Sequence, residues 1–403
     1  MTVVSTWIRV TLSMAALVAG AMAGAEPLHI YLTYSGAPET SIDVNIILPR
    51  DSEAVEVHYD TAPHAAPAEY ANRLSAQYVQ TPMELSDRRT LYVAALKDLA
   101  PGTVYHFMTT DEQSGASAPR AFRTLPGGAA PLRFVNGGDM GVDGAVIPLL
   151  ALAGKQDPDF GMIGGDLAYV NGLLGGWATW DAWLKNWNDH MVTSDGRMVP
   201  IVAAIGNHET NRYNTEDLGL RAPWYLSLFG RQGGDIYYSR KFGDNLILIM
   251  LDSGHLRPHA GAQTEWLAAE LEAHNAVKYK FAAYHVPLYP AHRAYDGEGS
   301  AQGRVHWGPL FDQYGLTVGL EHHDHVLKRT KPLKNGQVVE QGTVYIGDGC
   351  FGRAARTIDA EPRWYNHMEA AAPHFWVVDV ADDKLGFKAI DAEGAVLDEF
   401  TLP

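Results

Sequence analysis

Cysteine is nearly missing from the chain. Cys350 stands alone among 403 residues, so no intrachain disulfide can form and the fold must close by packing or by metal. Positive charge is also scarce: 31 Lys and Arg against 47 Asp and Glu leave a formal net charge of −16. Proteins that grip a nucleic-acid backbone display clustered cations, so no nucleic-acid partner is expected. The same acidity repels small anions at long range, and a phosphate-bearing ligand would need a local positive centre, which a metal supplies. Beyond the first 25 residues there is no apolar run fit to span a membrane, and there is no internal repeat or low-complexity tract. What is present is 46% hydrophobic and 19% charged residues with scattered Gly and Pro. That composition excludes a disordered, collagen-like or coiled-coil chain and allows two or three globular domains.

Residues 1–25 read as a removable export signal. Arg9 carries their only side-chain charge, an apolar stretch from Leu12 to Ala23 follows, and small residues end it at Ala23-Gly24-Ala25. The expectation is a periplasmic or secreted protein with no stable membrane insertion after cleavage. From 26 to 126 the pattern is strand-like: Ile42, Val44, Ile46 and Leu48 alternate with polar or smaller neighbours, as do Val55, Val57 and Tyr59. This predicts an antiparallel β-sandwich with one face of each strand buried, and Leu99–Tyr105 resembles a fibronectin type III corner. Gly127-Gly128-Ala129-Ala130-Pro131 reads as a linker.

From 131 to 403, short continuous apolar runs alternate with helical stretches, which predicts an α/β domain whose strands are covered on both faces. Trp177, Trp180, Trp183, Leu184 and Trp187 fall at helical spacing, as do Trp266, Leu267 and Leu271; both stripes are expected in the core. Alternation returns after Phe375 in closing strands. The informative feature is that five apolar runs each end in metal-ligand chemistry: Gly138-Asp139-Met140-Gly141, Gly165-Asp166-Leu167-Ala168-Tyr169, Gly206-Asn207-His208-Glu209, Tyr284-His285, and His322-His323-Asp324-His325. Strands of an α/β sheet share one crevice at their carboxyl ends, so five such deliveries can converge. A lone Gly-Asp pair, as at 234/235 or 243/244, reads as an ordinary turn.

That ordered set resembles the calcineurin-like metallophosphoesterases and, through Tyr169, the purple acid phosphatases, over nearly the whole mature chain. The resemblance implies a fibronectin-like domain followed by a metallophosphoesterase sandwich. It further implies a ferric ion held by Asp139, Tyr169 and His325, a divalent ion (zinc, manganese or iron) held by Asn207, His285 and His323, and Asp166 bridging them. Carboxylate and phenolate suit a hard trivalent cation, and imidazole with a neutral amide oxygen suits a borderline divalent one. The summed charge stays positive, which answers how an acidic chain would bind a phosphate dianion. His322 departs from the family pattern, which has Gly there. If that backbone needs positive φ, His322 is strained, and a register with His322 as ligand stays open.

The function so implied is phosphomonoester hydrolysis by in-line attack of a metal-bound hydroxide, with two ions about 3.5–4 Å apart and activity peaking below neutral pH. His208 and His292 are the candidates to contact the phosphate and protonate the leaving oxygen. Glu209 is read as an acceptor orienting a ring N–H. Asp252 reads as a turn or cap in preference to a support of the metal shell, Asn211–Arg221 as a substrate rim or a solvated loop, and His255, His259, His274 and His306 as surface or core residues. Two other readings remain: a phosphodiesterase or nucleotide-cleaving member, and a non-catalytic exported binding protein whose metal only stabilises the fold.

Overall fold

The computed structural model describes residues 27–85, 88–233, 235–347, 349–359 and 363–403; the expected export signal lies outside the described residues. Among them, no helix is long and apolar enough to cross a membrane. The amino-terminal strands form two antiparallel sheets. One runs His29–Thr33, Ile42–Leu48, Thr90–Leu96, Gln77–Val79; the other is built on Glu56–Asp60 and Val104–Asp111. At the expected corner, Tyr105 Oη accepts a hydrogen bond from Ala100 N at 3.0 Å, the device that pins the bend of many β-sandwiches.

One expectation is overturned here. Ile42–Leu48 is buried along its whole length, not on alternate residues. Its Ile42, Val44 and Ile46 face fills the sandwich, while Ile47, with Tyr31, Leu91 and Val93, joins the core around Trp180, Trp183 and Phe229. The sandwich therefore has no solvent-washed face at this strand, because the tryptophan-rich helix Trp177–His190 covers it. Polar ties flank the apolar contact: Tyr31 Oη donates to Leu228 O at 3.0 Å, and His29 Nε2 lies 2.9 Å from Asp181 Oδ1. Trp177 is the exception in its stripe, 43% exposed with the Arg89 guanidinium over its ring. It is the first residue of the helix and precedes the turn that enters the core.

The second unit stacks two mixed sheets face to face. The first has the order Ile201–Ala203, Phe160–Ile163, Leu132–Gly137, His374–Val380, Leu385–Asp391, Val396–Leu402. The second has Tyr238–Phe242, Leu246–Met250, Tyr279–Ala283, Val318–Leu320, Val344–Gly347, Leu327–Thr330, Asn366–Ala370. Phenylalanines interdigitate between them: Phe160 stacks on Phe134 and on Phe242, at ring-centroid distances of 4.9 and 4.2 Å. Helices Val146–Gly154 and Trp177–His190 cover the outer face of the first sheet, and Ala262–Ala273 with Gly308–Tyr314 cover the second. Both faces of each central strand are thus apolar, which is why these strands read as unbroken hydrophobic runs. Leu132–Gly137, Phe160–Ile163 and Ile201–Ala203 are mutually parallel, as are Leu246–Met250, Tyr279–Ala283 and Val318–Leu320.

Candidate metal centre

Each parallel strand stops where its apolar run stops, and the next turn carries the polar residues. Asp139, Asp166 and Asn207 leave the first sheet; His285, His323 and His325 leave the second. The turns are sharp. Asp139, Asp166, Tyr169, His323 and His325 have φ of 55°, 53°, 59°, 77° and 55°, making up five of the ten non-glycine residues with positive φ among the described residues. A left-handed non-glycine residue costs of order 1–3 kcal/mol and persists only where its surroundings over-determine it. Here the backbone continues the parallel ladder past the strand ends: Asp139 N donates to Gly165 O at 3.0 Å, and Gly141 N to Leu167 O at 2.8 Å. Glu209, 1% exposed, accepts from Asp166 N, Leu167 N and Gly206 N at 2.7, 2.8 and 2.9 Å. The expectation that it orients an imidazole is therefore corrected: three turn amides already point inward and take its acceptor capacity.

All seven expected ligands come together, in two groups. Tyr169 Oη lies 3.0 Å from Asp139 Oδ1 and 3.2 Å from His325 Nε2, which is 2.9 Å from the same Asp139 oxygen. His285 Nε2 lies 3.2 Å from Asp166 Oδ2, 3.2 Å from Asn207 Oδ1 and 3.0 Å from His323 Nδ1. Asp139 Oδ1 and His285 Nε2, 4.0 Å apart, join the groups. On the His285 side, one ligand atom each from Asp166, His285 and His323 lie within 4.8 Å of one another.

The arrangement is short of protons. His285 Nδ1 is 2.9 Å from Gly164 O and must carry the ring hydrogen to bond it. Its Nε2 is then a lone pair aimed at a carboxylate and an amide carbonyl, with His323 Nδ1 beside them, so acceptors face acceptors in a buried space. A cation relieves this, as does the ring hydrogen of His323 carried on Nδ1 or a proton on His285 Nε2. Burial opposes that proton, yet Asp166 and Asp139 outweigh it and push His285 up to about 10. Burial also raises Asp166, but His285 beside it holds its carboxyl well below the usual carboxylate range. Burial, then the charge on His285, holds His323 neutral. Burial and Asp139 raise the Tyr169 phenol, so a phenolate there calls for a cation. The donors fit two metal ions, an oxygen-rich set of Asp139, Tyr169 and His325 beside a mixed set of Asp166, Asn207, His285 and His323.

Of the other singled-out residues, His208 sits on the cluster. Its ring lies tilted against Tyr169 with centroids 4.3 Å apart, its Nδ1 meets Asn171 Oδ1, and its Nε2 is 3.8 Å from Asp166 Oδ2. His292 is tied on its Nδ1 to Thr357 O at 2.8 Å, and its amide donates to Asp324 Oδ2 in the ligand turn at 2.8 Å. Asp252 is a cap, accepting from the amides of His255, Leu256 and Arg257. His322 is not strained, because the positive φ falls on His323. Its fully buried ring occupies the slot left by two glycines: a Cβ on Gly164 would meet its Cε1 at 1.8 Å, and one on Gly138 its Cδ2 at 2.6 Å. Its Nδ1 is on Tyr284 O at 3.0 Å, and its Nε2 is buried without a hydrogen-bond partner among the described residues.

Sequence reasoning missed three residues. Asn171 partners His208. Gly349, with φ 55°, lets the backbone pass so near that a Cβ would fall 1.8 Å from Asp139 Oδ2. His255 lies against His285, ring centroids 5.8 Å apart. Its only sequence signal was its place just after a strand that ends in Asp252. Beside the cluster, a cavity of about 570 Å³ is lined by Asn171, Leu173, Asn207, His208, Arg212 and Tyr213. It places the start of the Asn211–Arg221 segment at the rim.

Comparison with known proteins agrees with this geometry. Residues 27–124 match the family described as Purple acid Phosphatase, N-terminal domain, and residues 138–327 match Calcineurin-like phosphoesterase. An uncharacterized protein of Mycobacterium tuberculosis is 27% identical over 278 residues, which cover 60% of this chain and 51% of that one. A probable purple acid phosphatase of Arabidopsis thaliana is 25% identical over 68% of this chain and 65% of its own length. The chain thus spans about half the length of the mycobacterial relative. In fold, it is similar to a purple acid phosphatase from yellow lupin seeds, with a TM-score of 0.78 at 19% identity over 94% of this chain and 74% of that one. With both domains matched in order, the chain belongs to the purple acid phosphatases of the calcineurin-like phosphoesterase superfamily.

Proposed function

We propose that the protein is an exported hydrolase of phosphoric monoesters working with a ferric ion and a divalent ion. The observation that carries this reading is the convergence of proton-poor donors, with His285 Nε2 held as a lone pair by the Gly164 carbonyl. Asp139, Tyr169 and His325 would hold the ferric ion, Asn207, His285 and His323 the divalent one, with Asp166 between them. When bound, the two cations supply Lewis acidity at the phosphoryl oxygens and a water acidic enough to attack in line.

The protein's own groups do the rest. His208 donates from Nδ1 to Asn171 Oδ1, which leaves Nε2, near Asp166, as the atom that holds or passes a proton. Burial lowers its affinity for that proton and Asp166 restores part of it, which suits exchange near the working pH. His292 is tied to Thr357 O through its Nδ1, and His208 takes the leading role. The cavity beside His208 receives the leaving group. The sandwich at 26–126 braces the catalytic unit at 131–403 through the tryptophan helix.

The test is metal analysis with a visible spectrum of wild type and Tyr169→Phe, beside turnover on mono- and diesters. Two ions per chain, iron among them, and an absorption band lost in Tyr169→Phe are expected, with monoester turnover best below neutral pH. A colourless, iron-free protein would end the ferric assignment, and a preference for diesters would end the monoester one.

A further inference from the structure

His255 is anchored everywhere except at one ring nitrogen. The Asp252 carboxylate, itself 0% exposed, accepts from the His255 amide at 2.8 Å, and Arg221 Nη2 donates to its carbonyl at 2.8 Å. Ser253 Oγ accepts from Val286 N at 2.9 Å, so its own hydroxyl proton is free to point at His255 Nε2, 3.4 Å away. That contact leaves the ring proton on Nδ1, which has no protein partner among the described residues. The ring rests against His285 as the His208 ring rests against Tyr169, so two histidines bracket the ligand cluster, one on each ligand group.

We infer that His255 is a substrate-contacting residue that donates from Nδ1 to a phosphoryl oxygen on the His285 side, complementing His208 on the Tyr169 side. A merely structural ring would not need a capped turn, a fixed carbonyl and a hydroxyl to set its orientation, with its remaining donor left open. The role concerns hydrogen bonding by the neutral ring. It extends the dinuclear reading and rests on it.

The experiment uses the metal-loaded full chain, with inorganic phosphate as the probe. Phosphate affinity is measured by calorimetry, alongside metal content and kcat and KM on one aryl monoester, for wild type, His255→Ala, His255→Gln and Ser253→Ala. A hydrogen bond to a charged oxygen predicts phosphate affinity weakened about tenfold or more in His255→Ala with two ions retained, partial recovery in His255→Gln, and a smaller loss in Ser253→Ala. Unchanged phosphate affinity in His255→Ala overturns the proposal, and so does loss of metal or of the fold in both His255 variants, which makes the residue structural. A wild type that binds no metal fails the dinuclear reading itself, and this inference with it.

Discussion

At the scale of single residues, the site depends as much on what is small as on what is charged. Gly349→Ala places a Cβ on Asp139 Oδ2 at a left-handed position, and metal affinity is expected to fall by about 10–100-fold or more, read by metal titration. Gly308→Ala, where nothing lies within 4 Å of the new atom, is the control that should change nothing. Glu209→Ala removes the acceptor of three turn amides. At about 1–3 kcal/mol per buried donor left unpaired, several kcal/mol of stability should go, seen as a lower melting temperature and poorer metal retention. Glu209→Gln, which keeps one acceptor oxygen, should recover part of it. The five polar blocks were legible in sequence because each follows an apolar strand, and the family resemblance picked out the seven expected ligands within them. His255 was not, because a carboxylate cap after the strand end delivers it, and a cap looks the same in sequence whatever it presents.

At the scale of elements, the tryptophan helix joins the two units. Trp180, Trp183 and Trp187 are buried between the first catalytic sheet and the amino-terminal sandwich. Trp183→Ala should cost about 3–5 kcal/mol in chemical denaturation while metal stoichiometry at low temperature is kept. Trp177→Ala, at an exposed helix start, should stay within about 0.5 kcal/mol. Helical periodicity revealed the stripe but not its second partner. The covering strands lie more than a hundred residues away, and alternation in Ile42–Leu48 implied a wet face that the helix in fact seals. The two-sheet catalytic unit was legible for the opposite reason: continuous apolar strands admit no solvent on either side, whatever their neighbours.

At the scale of the whole molecule, acidity and buried imidazoles pull against each other. Burial holds His259 and His374 down to about 4, from an ordinary value of 6.5. Below pH 6.5 the unfolded chain takes up protons that the folded rings refuse until about pH 4. Their contribution is therefore complete above 6.5 and lost as pH falls through that window, up to about 3 kcal/mol each. Thermal midpoints of the metal-loaded protein should drop between pH 6.5 and 4. His259→Phe should flatten that slope, since His259 Nε2 has no hydrogen-bond partner to lose.

The left-handed ligand turns carry a lesson for anyone wishing to transplant this centre. Placing Asp, Tyr, Asn and His at matching points on another scaffold would reproduce the side chains and miss the device. The aim of five of the seven donors is written into main-chain torsions that ordinary loops decline to adopt. The portable unit is the whole rim, with its glycines, its amide-collecting glutamate and the strand ends that hold it in shape.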